Sequence, residues 1–407
     1  MPATDASLDD VTNATADFLL SEEAQRACAS LEPDDLALDQ TLPTLSKLRD
    51  VFSGEEAGAI LTLARLRLKA ANKFPGAERM FVTADALEQA TAWPVALHRA
   101  EWIHRNAPKG LVLELGCGIG GDTLALATYR RVIAYENDSV RIQFAGANAR
   151  TAGVEDRIEF RNADWVAKLA GNRLPLAAAA YVDPSRRIAG RRVFSLYETA
   201  PPLSALMQLR DQFPNLALKV MPGVKDAEIP ADCGVEFVSH EGVCKEAVLW
   251  FGTFAKHSRW ASVYAADEWH ELAARGDRPP LAALQPDGFL YEPDPAVIRA
   301  GAFSELCALL DAYLIDPQIA YLVAPTQIET PFASAFHILE VHPYSLKRLN
   351  ARLQALGLRD VELKKRGAPF EPESLRPRLK LPANGSAGVV FFTRVGSTPT
   401  MIIAQRA

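Results

Sequence analysis

The chain has 407 residues, of which 49% are hydrophobic and 23% charged, and its formal net charge is −6 at pH 7. These values are typical of a soluble globular protein with two or three domains. No apolar run is long enough to span a membrane, and the first ten residues lack a basic-then-apolar signal pattern. The five cysteines are scattered and form no C-x-x-C motif, which favours the reducing cytoplasm and excludes a disulfide framework and structural zinc. We expect no metal ion.

The amino-terminal quarter of the chain predicts helices. We expect a flexible acidic segment over residues 1–20 and a helical domain over residues 21–105, where apolar residues recur at helical spacing. The simpler interpretation of this domain is a helical cap on a catalytic sheet. The alternative is a lid that contacts the cofactor or substrate through Gln89, Thr91 and Arg99.

A glycine-rich motif follows the first predicted strand. That strand leads into Glu114-Leu-Gly-Cys-Gly-Ile-Gly-Gly-Asp122, and a helix is predicted after it. Glycines let the backbone turn sharply and approach a ligand closely. The motif also fits the G-x-G-x-x-G dinucleotide fingerprint, but that fingerprint alone is weak and places an ordinary strand residue where Glu114 stands. An acid followed by G-x-G-x-G resembles the first motif of the class I S-adenosylmethionine (SAM) methyltransferases, in which the carboxylate lies near the amino-acid end of the cofactor.

Acidic residues also end or follow the next predicted strands. Glu136 ends a strand 22 residues after Glu114, where its carboxylate can accept both ribose hydroxyls. Asp164 follows the third strand and is placed near an adenine amino group, and Asp183 follows the fourth. Open α/β sheets bind ligands at the carboxyl ends of their strands, so these positions favour SAM over a nicotinamide. The predicted cofactor contacts are Glu114, Gly116, Gly118, Gly120, Asp122, Glu136, Asn137, Asp164 and Asp183.

The remaining elements set the predicted domain boundaries. A fifth strand is predicted over residues 216–220, and a hairpin over residues 234–251 matches the antiparallel edge of a class I methyltransferase sheet. The methyltransferase domain therefore spans residues 106–258. We expect a connecting region over residues 259–329 and a small α/β domain over residues 330–407.

Charge is unevenly distributed along the chain. From Ser345 onward, twelve basic residues stand against four acidic ones, giving a net charge of +8 and leaving −14 for residues 1–344. A basic module on an acidic body is the electrostatic pattern of a nucleic-acid partner. The simpler alternative is a solvated charged face. The candidate RNA contacts are Lys347, Arg348, Lys364, Lys365 and Arg366.

From about residue 50 to its end, the chain resembles a bacterial family of class I SAM methyltransferases with a C-terminal THUMP-like domain, taken to be RNA methyltransferases. The resemblance implies an α/β fold with a Rossmann-like methyltransferase sheet, an N-terminal helical domain and a small C-terminal α/β THUMP-like domain. It also implies SAM as cofactor and RNA as partner. Glu136 differs from the aspartate common at this position, but glutamate can make the same contacts. The resemblance rests on Lys73-Phe, Glu88-Gln-Ala-Thr91, the glycine motif, Asp183-Pro-Ser-Arg-Arg187, Lys219 with Pro222-Gly223, Cys244-Lys-Glu246, Tyr291 to Arg299, His342 to Lys347, Lys364-Lys-Arg-Gly367 and Leu379-Lys-Leu381.

The motif after the fourth strand indicates the chemistry. Methylases of exocyclic amines use (Asp/Asn)-Pro-Pro-aromatic, and here the motif is Asp183-Pro-Ser-Arg186. The arginine can stack on a base or bind a phosphate, so base recognition is retained in altered form. Covalent pyrimidine methylation is excluded because no cysteine accompanies Lys219-Val-Met-Pro222. The sequence therefore predicts methylation of a base in structured RNA (rRNA or tRNA), with Asp183, Arg186 and Lys219 as the catalytic candidates.

Two alternatives remain open. Ribose 2′-O-methylases use a Lys-Asp-Lys-Glu set, for which Asp183 and Lys219 would need a glutamate from the hairpin and a second lysine, Lys73 or Lys109. The other alternative is a non-catalytic RNA-binding protein on a methyltransferase scaffold.

Overall fold

The computed structural model describes residues 11–184, 187–188, 191–192, 195–284, 287–369 and 371–407. The chain divides into two compact units. Unit 1 comprises the described residues of Met1–Cys233 together with Leu249–Lys256, and unit 2 comprises those of Gly234–Val248 and His257–Ala407.

Unit 1 begins with helices and continues with alternating strands and helices. In chain order its elements are α1 (Asn13–Leu19), α2 (Glu22–Ala29), α3 (Thr41–Arg49), α4 (Gly54–Ala70), α5 (Ala84–Gln89), α6 (Trp93–Asn106), β1 (Val112–Leu115), α7 (Gly121–Tyr129), β2 (Val132–Glu136), α8 (Ser139–Ala152), β3 (Ile158–Asn162), α9 (Trp165–Ala170), β4 (Ala179–Val182), β5 (Arg187–Ile188), β6 (Arg191–Arg192), α10 (Leu203–Gln212) and β7 (Leu216–Val220).

The central sheet of unit 1 is parallel. Strands β3, β2, β1, β4 and β7 lie side by side in this order, and each neighbouring pair of them is parallel. Every residue of β1, β4 and β7 is buried, as expected for a parallel sheet covered on both faces. Because the strands are parallel, their carboxyl ends meet at one edge, which brings the predicted strand-end acids together.

The N-terminal helices share one hydrophobic core with helices of the methyltransferase fold. Ile60 and Leu63 of α4 and Phe144 of α8 are fully buried in this core. Helix α1 contributes Ala16 and Leu19 to it. The prediction of a flexible segment over residues 1–20 is therefore wrong for residues 13–19, because their apolar face is covered. The predicted boundary near residue 105 falls inside unit 1.

Unit 2 contains mostly strands. In chain order its elements are β8 (Gly234–His240), β9 (Val243–Trp250, whose last two residues belong to unit 1), β10 (Arg259–Ala265), β11 (Glu268–Ala273), β12 (Phe289–Pro293), α11 (Pro295–Ala300), α12 (Phe303–Leu310), β13 (Tyr313–Asp316), β14 (Ile319–Ala324), β15 (Ala333–Pro343), α13 (Leu346–Ala355), β16 (Leu358–Lys365), β17 (Ser386–Val395) and β18 (Thr398–Arg406).

The region predicted as a connection, residues 259–329, is built of strands and helices. Strand β10 pairs parallel with β8 and antiparallel with β11. Strands β12–β14 join the carboxyl-terminal strands in a seven-stranded sheet of order β13-β14-β12-β15-β18-β17-β16. The predicted boundary at residue 330 therefore falls inside a sheet. No described helix combines the length and apolar content that crossing a bilayer requires.

Candidate active site

A cavity of about 750 Å³ opens at the carboxyl ends of β1–β4 in unit 1. Its lining includes the glycine motif, the residues that follow each strand, and the segment between α5 and α6. Of the predicted cofactor contacts, Gly120 does not line the cavity. Gly120 has a positive φ of 88°, and an added Cβ would lie 3.3 Å from Cβ of Ala145, so this glycine permits the tight turn into α7. The other predicted contacts line the cavity: Glu114, Gly116, Gly118, Asp122, Glu136, Asn137, Asp164 and Asp183.

Glu114 presents a buried carboxylate to this cavity. Its side chain is 2% exposed, and its Oε2 atom has no hydrogen-bond partner among the described residues. Burial raises the pKa of the Glu114 carboxyl well above its ordinary value, and the negative charge of Asp122 adds to this effect. A buried acceptor without a partner is costly unless a ligand satisfies it.

The neighbouring carboxylates already have cations. Asp122 forms an ion pair with Arg99, and Asp183 Oδ2 lies 2.7 Å from Nζ of Lys219. Among the three carboxylates of Glu114, Asp122 and Asp183, that of Glu114 has no cation within salt-bridge distance in the described part of the chain. The arrangement fits a ligand that brings a positive charge, such as the ammonium group at the amino-acid end of SAM.

Glu136 is held in place by backbone amides at the tip of β2. Its Oε2 accepts a hydrogen bond from Gly118 N at 2.8 Å, and its Oε1 accepts bonds from Asn137 N and Asp138 N at 2.8 and 3.0 Å. A carboxylate has about four lone-pair sites, so after these three bonds about one remains to accept a ribose hydroxyl. The backbone contacts orient this carboxylate before any ligand arrives.

Asp164 has a structural role at the same edge of the sheet. It caps α9, because Oδ1 accepts hydrogen bonds from Val166 N and Ala167 N at 2.8 and 3.4 Å. Its side chain is nevertheless exposed and lines the cavity. Trp165, which directly follows it, also lines the cavity and was not predicted from the sequence.

Lys219 joins Asp183 to the segment before α6. Its Nζ donates to Asp183 Oδ2 at 2.7 Å and to Thr91 Oγ1 at 2.9 Å, and its side chain is only 6% exposed. Thr91 in turn donates to Asp122 Oδ2 at 3.1 Å. Among the described residues, Lys219 is the hydrogen-bond partner of the Asp183 carboxylate, through Oδ2, and Asp183 lines the cavity.

Arg99 completes the buried network. Its Nη1 donates to Tyr181 OH at 2.7 Å, and its guanidinium lies 4.7 Å from the centroid of the Tyr181 ring. The lid alternative has Thr91 and Arg99 contact the cofactor or substrate, which stays a prediction. In the structure both side chains are buried and contact Lys219, Asp122 and Tyr181. Gln89 lines the cavity and donates to Asp85 Oδ1 at 2.7 Å.

The other catalytic candidates are placed as follows. Arg186 lies outside the described residues. Lys73 Nζ donates to the carbonyl oxygens of Leu87, Glu88 and Ala90 at 2.7–3.1 Å, so it caps the end of α5. Lys109 is exposed and precedes β1, which puts it at the opposite end of that strand from the cavity. Neither lysine supplies the fourth member of a Lys-Asp-Lys-Glu set.

The candidate RNA contacts in unit 2 fall into two groups. Lys364 and Arg366 lie 2.7 and 3.5 Å from carboxylate oxygens of Glu292, and Lys365 is paired with Glu371. Lys347 and Arg348 are exposed, and neither forms an ion pair with a described residue. The contribution of each group to RNA binding remains a prediction.

Two family models match parts of the chain. Residues 333–406 match the THUMP domain-like family, and residues 109–186 match the RNA cap guanine-N2 methyltransferase family. The first match lies inside the predicted domain over residues 330–407. The second covers the glycine motif and the strands through Asp183.

Whole-chain comparisons find relatives of the same organisation. Two proteins described as S-adenosylmethionine-dependent methyltransferases, from Mycobacterium tuberculosis strains CDC 1551 and H37Rv, are each 30% identical over 355 residues. The alignments cover 84% of this chain and 94% of each relative. A crystal structure of a candidate methyltransferase from Porphyromonas gingivalis W83 has a TM-score of 0.73 at 18% identity. It covers 96% of this chain and 98% of its own, so the fold extends over nearly the whole length.

Proposed function

Because the chain belongs to the S-adenosylmethionine-dependent methyltransferases, we propose that it transfers a methyl group to a base of structured RNA. The observation that carries this proposal is Asp183, whose carboxylate is fixed by Lys219 at the edge of the cofactor cavity and is followed by Pro184. Acid-proline motifs at this strand end serve exocyclic-amine methylases. Similarity of residues 109–186 to a guanine-N2 methyltransferase family supports the same class of acceptor atom.

The residues around the cavity fit SAM with separate roles. Glu114 would bind the ammonium group, Glu136 a ribose hydroxyl, and Asp164 with Trp165 the adenine end. When bound, SAM supplies a methyl group on a sulfonium, which an amine nitrogen can attack without metal chemistry. The backbone at Gly116 and Gly118 lines the cavity without a side chain between it and the ligand.

Asp183 orients the nucleophile in this account. Its Oδ1 accepts a hydrogen bond from the exocyclic N–H, which turns the nitrogen lone pair towards the methyl group. The same oxygen is placed to receive the proton that the nitrogen loses after transfer. Lys219 and Thr91 keep the carboxylate in this orientation, and the buried Asp122–Arg99 pair holds Thr91.

The proposal is tested by incubating the purified protein with methyl-labelled SAM and total RNA from cells that lack the gene. We expect label in RNA and in the base fraction after hydrolysis to nucleobases. Label that never exceeds a no-enzyme control, with SAM binding intact, would contradict an RNA substrate.

We expect Glu136→Ala to weaken SAM binding without unfolding the protein. Loss of hydrogen bonds to a charged group costs about 1.5–3 kcal/mol, which corresponds to about 10- to 100-fold in Kd. Isothermal titration with SAM measures the change. Asp138→Ala is the matched control, because Asp138 caps α8 through Val140 N and Arg141 N and should affect thermal stability rather than affinity. Equal SAM affinity in Glu136→Ala and wild type would remove the ribose assignment.

Ribose 2′-O-methylation remains the second candidate, because the Asp183–Lys219 ion pair matches part of its residue set. Lys219→Met separates the two reactions. If Lys219 only positions Asp183, methyl transfer should fall by about 10-fold or less. If Lys219 is a general base, the rate should fall by about 100-fold or more.

Thr91→Val is the matched control for Lys219→Met. It removes the hydroxyl that contacts Lys219 while leaving the lysine itself in place. We expect a smaller loss than in Lys219→Met under either chemistry. A Thr91→Val enzyme that is more impaired than Lys219→Met would show that the threonine acts independently of the lysine.

A further inference from the structure

Unit 2 carries a groove whose walls are basic. It has a volume of about 630 Å³ and runs between one face of α13 and the segment around residues 378–380. Its lining residues are Leu346, Lys347, Asn350, Ala351, Gln354, Arg378 and Lys380. The three cationic members are exposed, and no acidic side chain lines the groove.

Hydrogen bonds join the two walls of the groove through Asn350 and Gln354, and the charged groups of Lys347, Arg378 and Lys380 take no part in these bonds. Asn350 Nδ2 donates to the carbonyl oxygen of Arg378 at 3.1 Å, and its Oδ1 accepts from Lys380 N at 2.9 Å. Gln354 Nε2 donates to the carbonyl oxygen of Lys380 at 2.9 Å. These bonds tie the backbone of the second wall to the helix, while Leu349 and Leu353 on the other face of α13 are fully buried. The walls are therefore fixed before a ligand binds.

The groove gathers cations that carboxylates do not offset. Five of the twelve basic residues from Ser345 onward form no ion pair with a described residue: Lys347, Arg348, Arg359, Arg378 and Lys380. By contrast, several cations of the same domain face carboxylates within unit 2: Arg352 with Glu340, Lys364 and Arg366 with Glu292, Lys365 with Glu371, Arg376 with Glu373, Arg394 with Asp316 and Arg406 with Glu362. Three of these five cations, Lys347, Arg378 and Lys380, therefore meet at the groove.

We infer that this groove, lined by Lys347, Arg378 and Lys380, binds the phosphate backbone of the RNA substrate. The inference rests on the proposed function, because the charge of the groove selects a polyanion and the proposed reaction identifies that polyanion as RNA. It assigns no main role in RNA binding to the earlier candidates Lys364, Lys365 and Arg366, whose charges are already offset by carboxylates. Each phosphate contact releases a counterion, so binding should depend steeply on salt.

The test compares two triple variants with the same change in charge. K347Q/R378Q/K380Q should bind RNA from cells lacking the gene at least about 10-fold more weakly than wild type near physiological salt. Its slope of log K against log[salt] should be shallower by about 2, since each phosphate contact contributes about 0.7–0.9. K364Q/K365Q/R366Q should keep its RNA affinity within about threefold of wild type. Its slope of log K against log[salt] should stay within about 0.5 of the wild-type slope. Fluorescence anisotropy over a salt series provides both quantities, and SAM titration with thermal unfolding checks that each variant is folded.

The K364Q/K365Q/R366Q variant removes ion-paired side chains and could lose stability for that reason, so a second control variant is included. R359Q/R376Q/R406Q removes three exposed arginines outside the groove and should also retain RNA affinity. Wild-type affinity and slope in the groove variant would overturn this inference and leave the proposed function standing. Equal losses in all three variants, or tighter binding of a DNA duplex than of RNA, would also overturn it. If the wild type binds no RNA, the proposed function itself fails.

Discussion

Asp183→Ala should lose methyl transfer to RNA by about 10²- to 10⁴-fold, while its Kd for SAM stays within a few-fold of wild type. The loss is of the size found for residues that position or remove a proton in the transition state. Because the Asp183 carboxylate is bound by Lys219 and faces the cavity, its removal takes away the acceptor for the exocyclic N–H without touching Glu114 or Glu136. Single-turnover transfer of labelled methyl groups and a parallel SAM titration measure the two quantities.

Asp183→Asn is the matched variant. Its amide has one acceptor oxygen where the carboxylate has two, and the Lys219 ammonium, which can only donate, competes with the substrate N–H for that oxygen. We therefore expect Asp183→Asn to retain little more activity than Asp183→Ala, with SAM affinity close to wild type. An alanine variant with normal turnover would contradict the role of Asp183, whatever the asparagine variant does.

Glu114→Gln should weaken SAM binding by about 100-fold or more. The substitution keeps the shape of the side chain but leaves the ammonium group of SAM without its counter-charge, and loss of one partner of a buried charge pair costs about 3–5 kcal/mol. The carboxylate is 2% exposed, and no described residue donates a hydrogen bond to its Oε2 atom. The nearby carboxylates of Asp122 and Asp183 are already paired with Arg99 and Lys219. Isothermal titration at neutral pH tests the prediction.

The same variant should be more stable than wild type when SAM is absent. The pKa of Glu114 is raised by burial in the folded state, so the folded protein binds its proton more tightly than the unfolded chain. Protonation of Glu114 therefore stabilises the fold at low pH, and this contribution is lost as the pH rises through the raised pKa. Once the pH exceeds the raised pKa, glutamine avoids the cost of the buried charge, and the Tm of the SAM-free variant should exceed that of wild type.

Acidification provides an independent check on Glu114. Protonation of the carboxyl removes the charge that binds the ammonium group, so SAM affinity should fall as the pH decreases, starting above the range of an ordinary glutamate. Glu114→Gln should not show this dependence. A SAM affinity that is equal in both proteins and flat with pH would contradict the assignment of Glu114.

The sequence was sufficient to predict the sheet edge that forms the site. Glu114 lies one residue before the end of β1, Glu136 ends β2, and Asp164 and Asp183 follow β3 and β4. Parallel strands bring such positions to one edge of the sheet. Strand β11 was not predicted, because Glu268-Trp-His-Glu-Leu-Ala273 lacks a clear alternation of apolar and polar residues. Helix α1 was not predicted because acidic residues around it masked its buried apolar face.

Contacts between distant residues were beyond the sequence pattern. Thr91 and Lys219 are 128 positions apart, and only the packing of the segment before α6 against β7 makes them partners. Arg366 and Glu292 are 74 positions apart, so the sequence pattern did not show that Glu292 offsets positive charge at the end of β16. Counting charges therefore identified the basic domain, while the distribution of ion pairs identifies which of its cations are available.

Methylation of an RNA base with the help of Asp183 can be tested in cells. Mass spectrometry of RNA nucleosides compares cells that lack the gene with the same cells carrying either the wild-type gene or the Asp183→Ala gene. We expect one methylated nucleoside that is present with the wild-type gene, absent in the other two cases, and carries the methyl group on its base fragment. An unchanged nucleoside profile, or a methyl group on the ribose fragment, would contradict it.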